Sequence, residues 1–399
     1  MTKPKVRYEG FGEEWNIDKI GELSNLFSGG TPSVAISEYY GGTIPFIRSG
    51  EIHNNYTELF LTEKGLSSSS AKKVEIGTIL YALYGATSGE VEVSKINGAI
   101  NQAILAIIPK DPIDKYFLTF LLQNKKKKIV SSLLQGGQGN LSGTLLKSVD
   151  VNYPTLFEQQ QIASYFKSLD RLIQATTKKI YSLKQLKSAS VLSMFPQTGE
   201  TKPRVRFKGF DEDWKKVTLS EIFIDRHEIS TITEDLPQLS FTIAEGVIKP
   251  EDRKSNKRDF LIKDKDSKKY LVTYYDDIIY NPANVVYGAI HKNSLCNGVV
   301  SPIYKIFYTN QNAAFMECVV RRSSFIQEMT IYMEGTVKKL KTLKPESFLK
   351  MSTYIASSLE EQKMIGDYFK SLNTQISLES QRLEKLKQIK SACLDKMFV

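Results

Sequence analysis

Cysteine, histidine and tryptophan are scarce: three cysteines (Cys296, Cys318, Cys393), three histidines (His53, His227, His291) and two tryptophans (Trp15, Trp214) in 399 residues. Cysteines odd in number and far apart speak against a disulfide framework or a zinc finger. Histidines scattered singly offer neither a zinc site nor a histidine-based triad. No run reaches about 18 apolar residues, and the opening "MTKPKVRYEGFGEEW" has no apolar segment of a secretory signal, so neither a membrane span nor export is expected. Positive charge, by contrast, is plentiful. Lysine and arginine number 54 against 44 aspartate and glutamate, giving +10 and a pI of about 9.1. That favours a polyanionic partner, most often nucleic acid. With 41% apolar residues, 20 tyrosines and 20 phenylalanines, the chain has material for real cores, and its length calls for two or three domains. The expectation is a soluble, cytoplasmic, basic protein.

Self-similarity organises the rest. "PKVRYEGFGEEW" at residues 4–15 returns as "PRVRFKGFDEDW" at 203–214, an offset of 199 that puts the two tryptophans in equivalent places. "TLFEQQQIASYFKSLD" from Thr155 returns as "SLEEQKMIGDYFKSLN" from Ser358, an offset of 203 that still holds at "MFP" (Met194) and "MFV" (Met397). Between these blocks, 16–153 and 215–356 match poorly; their best echo is "NGAINQAILAI" from Asn97 against "NGVVSPIYKI" from Asn297. Two scaffolds are alike while two inserts differ.

The second block reads as helix. Thr155 with Glu158, and Ser358 with Glu361, have capping-box spacing. Neither glycine nor proline interrupts 158–195. Apolar residues recur at Phe166, Leu169, Ile173, Ile180 and Leu183 with Thr176 in the gap, and at Phe369, Leu372, Ile376, Leu383 and Leu386 with Glu379 in the same gap. A sustained period of about 3.5 asks for a coiled-coil partner, and the other copy is the nearest one; a bundle helix packed on its own domain is the alternative. Chain order then makes the pair antiparallel. The first helix carries the chain to "PRVRFKGF", and the second must return, landing "KMFV" near residue 4. The result is a pseudo-two-fold object. Rails of about 40 residues at about 1.5 Å each would be near 60 Å long, commensurate with somewhat more than a turn of duplex DNA.

This architecture resembles the specificity (S) subunit of type I restriction–modification systems. "YPTLFEQQQI" (153–162) looks like that family's P-P-x-x-E-Q-x-x-I signature, and "SGGTPSVAISEYYGGTIPFIRSGEI" (28–52) like the start of its target recognition domain. Thr155 stands where the signature has a proline, the second copy lacks both prolines, and the second insert lacks the Gly-Gly-Thr-Pro opening. The resemblance implies an α+β fold with two mixed α/β target recognition domains on a long antiparallel two-helix coiled-coil spacer. The division would be 1–153, a first recognition domain carrying repeat segment 4–15; 154–196, a central helix; 197–356, a second recognition domain carrying 203–214; and 357–399, a C-terminal helix. It also implies a non-catalytic subunit with no cofactor of its own. Its partners would be double-stranded DNA, two methyltransferase subunits and restriction subunits, and S-adenosylmethionine, ATP and Mg would sit on those partner subunits. Each recognition domain would read one half of a split, asymmetric target.

Enzymatic motifs are present only in broken form. "YNPANVVYG" (280–288) has Asn281 and Pro282 but not the second proline and aromatic with which amino-methyltransferases hold an adenine, so a strand-end turn is expected. Pro250–Asp252 with Asp266–Lys268 loosely mimics a metal-dependent nuclease inside a charge-dense run that reads as a solvated hairpin. No Walker A motif occurs. "NKKKKIV" (124–130) closes an apolar helix, where lysines suit either the helix dipole or phosphate contact. A free-standing methyltransferase or nuclease, and an RNA-binding or structural coiled-coil adaptor, are the competing readings.

Base reading needs amides, guanidinium forks or small polar groups at loop tips, while lysines grip phosphates. The first insert offers Gly30, Thr31 and Ser33 in a Gly-rich loop; Arg48 and Ser49 at a strand end; Tyr84, Thr87 and Ser88 in a turn; Asn101 and Gln102; and Gln135, Gln138 and Asn140 in "LLQGGQGNLSG". The second offers Asn284, Tyr287, His291 and Lys292 in "NVVYGAIHKN", Ser301 beside Pro302, and Lys338 and Lys339 in "EGTVKKLK".

Overall fold

The computed structural model of the chain describes residues 3–134, 141–197, 199–253, 268–335 and 341–399, without the side chains of 132–134. The chain forms two compact units: Met1–Thr177 together with Gln381–Val399, and Lys178–Ser380. Five helices matter below: α1 (Lys115–Leu134), α2 (Leu156–Met194), α3 (Ala313–Val320), α4 (Ser323–Tyr332) and α5 (Leu359–Met397). Both α2 and α5 run 39 residues, so each passes through both units.

The first unit is built on strands β1 (Ser24–Ser28), β2 (Ile79–Ala82), β3 (Val91–Val93) and β4 (Ile104–Pro109), hydrogen-bonded antiparallel in the order β1-β4-β2-β3. Alternation along the strands sorts the side chains onto two faces. Ile79, Tyr81, Leu105 and Ile107 pack with Phe117 and Leu121 of α1 and with Phe166 of α2. Leu80, Ala82, Ile104 and Ala106 pack instead with Ile47, Ile52, Val74 and Ile100. The second unit repeats the plan with β5 (Phe223–Asp225), β6 (Ile278–Tyr280), β7 (Ile290–Lys292) and β8 (Lys305–Thr309), in the order β5-β8-β6-β7. The two inserts that match poorly in sequence therefore share the connectivity of this sheet. Their other strands differ: a four-stranded sheet with one parallel pair in the first, a three-stranded antiparallel sheet and a separate hairpin in the second. Connectivity needs only apolar residues at alternate positions, and many sequences satisfy that.

The repeated blocks are the parts that lock each unit together. In the first unit the Arg7 guanidinium forks onto the Glu158 carboxylate, with Nε and Nη2 each 2.7 Å from an oxygen, and Arg7 Nη1 donates to the Glu13 carbonyl. In the second, Arg206 does the same to Glu361 at 2.8 Å and to the Glu212 carbonyl. The capping-box expectation is therefore half right. Ser358 Oγ accepts the Glu360 and Glu361 amides, but both glutamates turn away from the helix start to meet an arginine. The next residue holds another helix. Gln159 is fully buried; its Oε1 accepts the Asp114 amide at the head of α1, and its Nε2 donates to the Pro112 and Pro154 carbonyls. Gln362 accepts the Asn312 amide at the head of α3 and donates to the Ala356 carbonyl. Gly366 in α5 is required there, because a Cβ would lie 2.7 Å from Asn312 Oδ1.

Each unit also contains an antiparallel stretch of α2 with α5, as the chain order predicts. In the first, Tyr165 meets Cys393 and Asp170 meets Lys390, while Phe398 stacks on Phe166. In the second, Lys179 meets Glu379, Ser190 meets Tyr368, and Phe195 packs on Phe369. Phe398 also contacts Phe117, which Trp15 meets edge-on; Phe195 contacts both Trp214 and Phe315. The end of each helix thus completes the aromatic core of the unit it arrives in. The incoming chain is tied there by matching backbone bonds, Val6 to Lys396 and Val205 to Ser193. Along the seam Phe166, Leu169, Ile180, Phe369 and Leu372 are buried, and Ile173, Leu183, Ile376, Leu383 and Leu386 are half-buried. Thr176, placed in the gap by its chemistry, is buried as well.

The lysine run lies elsewhere than expected. Lys125–Lys128 fall in the middle of α1, which continues to Leu134, so the dipole argument does not apply. Lys125 donates to the Asp150 carbonyl and Lys126 pairs with Glu90.

Candidate nucleic-acid interface

In the first unit, four of the expected segments gather at one edge. The Leu83 amide donates to the Ala103 carbonyl, and the Leu83 carbonyl accepts the amide of Leu141, the first described residue after 135–140. The turn after β2, the turn at Asn101–Gln102 and the chain leaving 135–140 are therefore side by side. Thr31 Oγ1 donates to Gln102 Oε1 at 2.6 Å, joining the Gly-rich loop to the same edge. The single-turn helix Ser49–Glu51 lies against the one at Gly85–Thr87. Thr31, Ser33 and Gln102 are exposed, and Ser49, Thr87 and Ser88 are half-buried.

Several of these residues have other work. Gly30 is buried, and a Cβ on it would fall 2.6 Å from Ser70 Cβ; one on Gly29 would fall 1.8 Å from the Ile100 carbonyl oxygen. The glycines let the loop lie closely on its own domain. Arg48 is spent internally on Glu51, at 2.8 and 3.0 Å, and on Glu58 at 2.6 Å. Burial opposes ionisation of Glu51, but Arg48 and the backbone amides of Glu58 and Arg48 prevail and hold its carboxyl at about 2. Asn101 Oδ1 caps its own turn at the Ala103 amide. Tyr84 packs on the core, and Ser88 Oγ donates to the Leu83 carbonyl.

The second unit has the equivalent edge. Both hairpins leave the inner strand through a short helical turn closed by a left-handed glycine, Gly89 at φ 82° and Gly288 at φ 86°. The Leu343 amide donates to the Pro282 carbonyl, as Leu141 does to Leu83, so the chain leaving 336–340 reaches the same turn. Asn281 is a turn cap, its Oδ1 accepting the Ala283 and Asn284 amides, in keeping with the strand-end turn expected from its broken motif. Asn284 is half-buried and Tyr287 is 73% exposed. The Ser301 carbonyl accepts the Tyr304 amide in a turn that matches Asn101 with Ile104.

His291 and Lys292 are corrections. Neither lies at a loop tip: both are buried in β7. His291 Nε2 meets the Ile243 carbonyl and its Nδ1 meets Arg321, while Lys292 pairs with Asp276 at 2.5 Å under the ring of Tyr275. Gln135, Gln138, Asn140, Lys338, Lys339 and Asp266 lie outside the described residues. What the sequence did not single out is the Thr31–Gln102 pair, since nothing in a one-dimensional reading joins residues 71 apart. Among the described residues no group of three or more His, Cys, Asp or Glu is placed to hold a metal, and no helix is long and apolar enough to cross a membrane.

Comparison with known proteins agrees with this layout. Residues 12–185 match the family model described as type I restriction modification DNA specificity domain. The chain is 33% identical over 175 residues to the type I restriction enzyme MjaIX specificity subunit of Methanocaldococcus jannaschii, an alignment covering 42% of this chain and 40% of that one. It is 26% identical over 175 residues to the HindI specificity subunit of Haemophilus influenzae, covering 40% and 37%. The chain thus spans less than half the length of these two relatives. Among solved structures, the type I restriction–modification S subunit from M. genitalium superposes with a TM-score of 0.66 at 15% identity, over 100% of this chain and 99% of that one. Over residues 12–185 the chain is therefore similar to the type I restriction modification DNA specificity domain. Taken whole, the chain has the fold of a type I specificity subunit.

Proposed function

We propose that this chain is a non-catalytic specificity subunit. It binds a two-part, asymmetric DNA target and presents it to methyltransferase and restriction subunits, which carry the S-adenosylmethionine, ATP and Mg, in the cytoplasm where that DNA lies. One observation carries the reading: two units built on four-stranded sheets of the same connectivity present equivalent loop edges with different residues. Equal scaffolds with unequal edges suit a protein that reads two different sequences. In the first unit the readers are Thr31, Ser33, Ser49, Thr87, Ser88, Gln102 and the segment with Gln135, Gln138 and Asn140. In the second they are Asn284, Tyr287 and Ser301, with Lys338 and Lys339 on phosphates. The division at 1–153, 154–196, 197–356 and 357–399 belongs to the same proposal, with the helices setting the gap between half-sites.

The test is to map methylated bases in a host with and without this gene. A motif of two fixed halves around an unspecified gap should be modified in the first host and unmodified in the second. Methylation unchanged by the deletion would contradict the proposal.

A further inference from the structure

The two halves of the chain differ at one matched place on the helix pair. In the first unit Lys390 is paired with Asp170 at 2.6 Å, and Lys387 lies 3.3 Å from Glu384. Counting back 203 residues, their counterparts are Lys187 and Lys184, but the matching carboxylates have become Asn373 and Tyr181. Neither Lys184 nor Lys187 has an acidic partner among the described residues, although the lysines themselves are kept. Two counter-ions have gone from one copy only.

These lysines line a cavity of about 640 Å³ in the second unit, together with Ser188, Arg321 and the head of α4. Arg322, the residue before α4, also lines it, and among the described residues its hydrogen bonds go to neutral groups: the Val319 and Pro196 carbonyls and Thr353 Oγ1. Its side chain gives no cap to α4, and the first turn of that helix has no acidic residue. Its leading amides and the exposed Ser323 and Ser324 hydroxyls are thus available. The Glu317 carboxylate, next to this cluster, is shared among Arg321, His291 and the Lys292 amide. Burial, then the charge of Arg321, lowers Lys187, and the smaller opposing pull of Glu317 does not offset them.

We propose that this cavity binds a phosphate group. Lys184, Lys187 and Arg321 supply charge, while Ser323, Ser324 and the α4 amides supply donors arranged around a tetrahedral oxyanion. A helix head lined by cations favours such a ligand. A carboxylate, with two acceptor oxygens, would use fewer of these donors. The phosphate comes either from a free nucleotide or from a polynucleotide backbone, and the cavity chemistry is the same for both.

The experiment uses the full chain and two substitutions. Asn373→Asp rebuilds the ion pair of the other half at an exposed position, and Lys187→Gln removes a cation. Binding of inorganic phosphate and of ADP is measured by calorimetry, and binding of a random-sequence duplex by anisotropy across a salt series. Phosphate should bind the unaltered chain and lose about tenfold in affinity in each variant, the scale of one charge-assisted hydrogen bond. The matched change Asp170→Asn in the other unit should not weaken phosphate binding. If the natural source is a polynucleotide, Asn373→Asp also lowers the salt slope of duplex binding by about one. If it is a nucleotide, ADP affinity falls with phosphate affinity and the duplex slope stays put. Phosphate affinity indifferent to both substitutions overturns the proposal. So does a site that takes polyglutamate and not phosphate.

Discussion

Arg7 and Glu158, 151 positions apart, meet in a two-pronged ion pair with both N–O distances at 2.7 Å, and Glu158 is only 1% exposed. Arg206 and Glu361 repeat the pair in the other half. This explains why two separate blocks are alike while the stretch between them varies. The arginine sits in one block and the glutamate in the other, and the insert is held at its two ends. Replacing Arg7 with methionine strands a buried carboxylate, so urea unfolding should show a loss of about 3–5 kcal/mol. The double change Arg7→Met with Glu158→Leu should recover most of that loss.

The last residues of the chain belong to the core of the first unit. Phe398 is 6% exposed and packs between Phe117 and Phe166. Phe398→Ala should therefore cost about 3–5 kcal/mol. Hydrogen exchange should quicken in Ile79–Ala82 and Ile104–Pro109 and stay slow in Ile278–Tyr280. Phe195→Ala should give the reverse pattern.

Acid sensitivity has a local source at Glu51. Its folded-state value is depressed to about 2 from an ordinary 4.5, so ionised Glu51 stabilises the fold above pH 4.5, and that stability is lost as pH falls toward 2. Unfolding at pH 5 and at pH 3 should show a larger acid loss in the natural chain than in Glu51→Gln. Equal losses would remove Glu51 from the account.

Base and phosphate contacts separate by their salt behaviour. Gln102→Ala should cost about 1–3 kcal/mol on the cognate duplex and nothing on random sequence. Lys338→Ala should weaken both and lower the salt slope by about one. Anisotropy titrations on the two duplexes decide it, and a loss at Gln102→Ala that is equal on both would remove that residue from base reading.

Much of the scaffold was legible because it is written twice. The spacing of Phe166, Leu169 and Ile180 marks a helical seam, and chain order alone gives its direction. The glutamates of Glu158 and Glu361 were visible, but helix-cap spacing pointed to the backbone, and only the fold brings Arg7 and Arg206 to them. The common order of the central four-stranded sheets was hidden because connectivity leaves no letter pattern. Site residues were the least legible. Loop-like composition at "GGTPS" and "YGATSG" picks out segments that the fold brings to one edge, yet Gly30 and Arg48 there serve the protein's own packing and pairing. His291 and Lys292 looked like a loop because their neighbours Gly288 and Asn293 do, while β7 buries both.

The central claim is that each unit reads its own half-site. The direct measurement replaces residues 16–153 with another recognition domain, leaving Arg7 and Glu158 in place, and maps methylated bases in a host supplying the partner subunits. One half of the modified motif should change while the other half stays as it was. A motif altered in both halves, or in neither, would contradict the account.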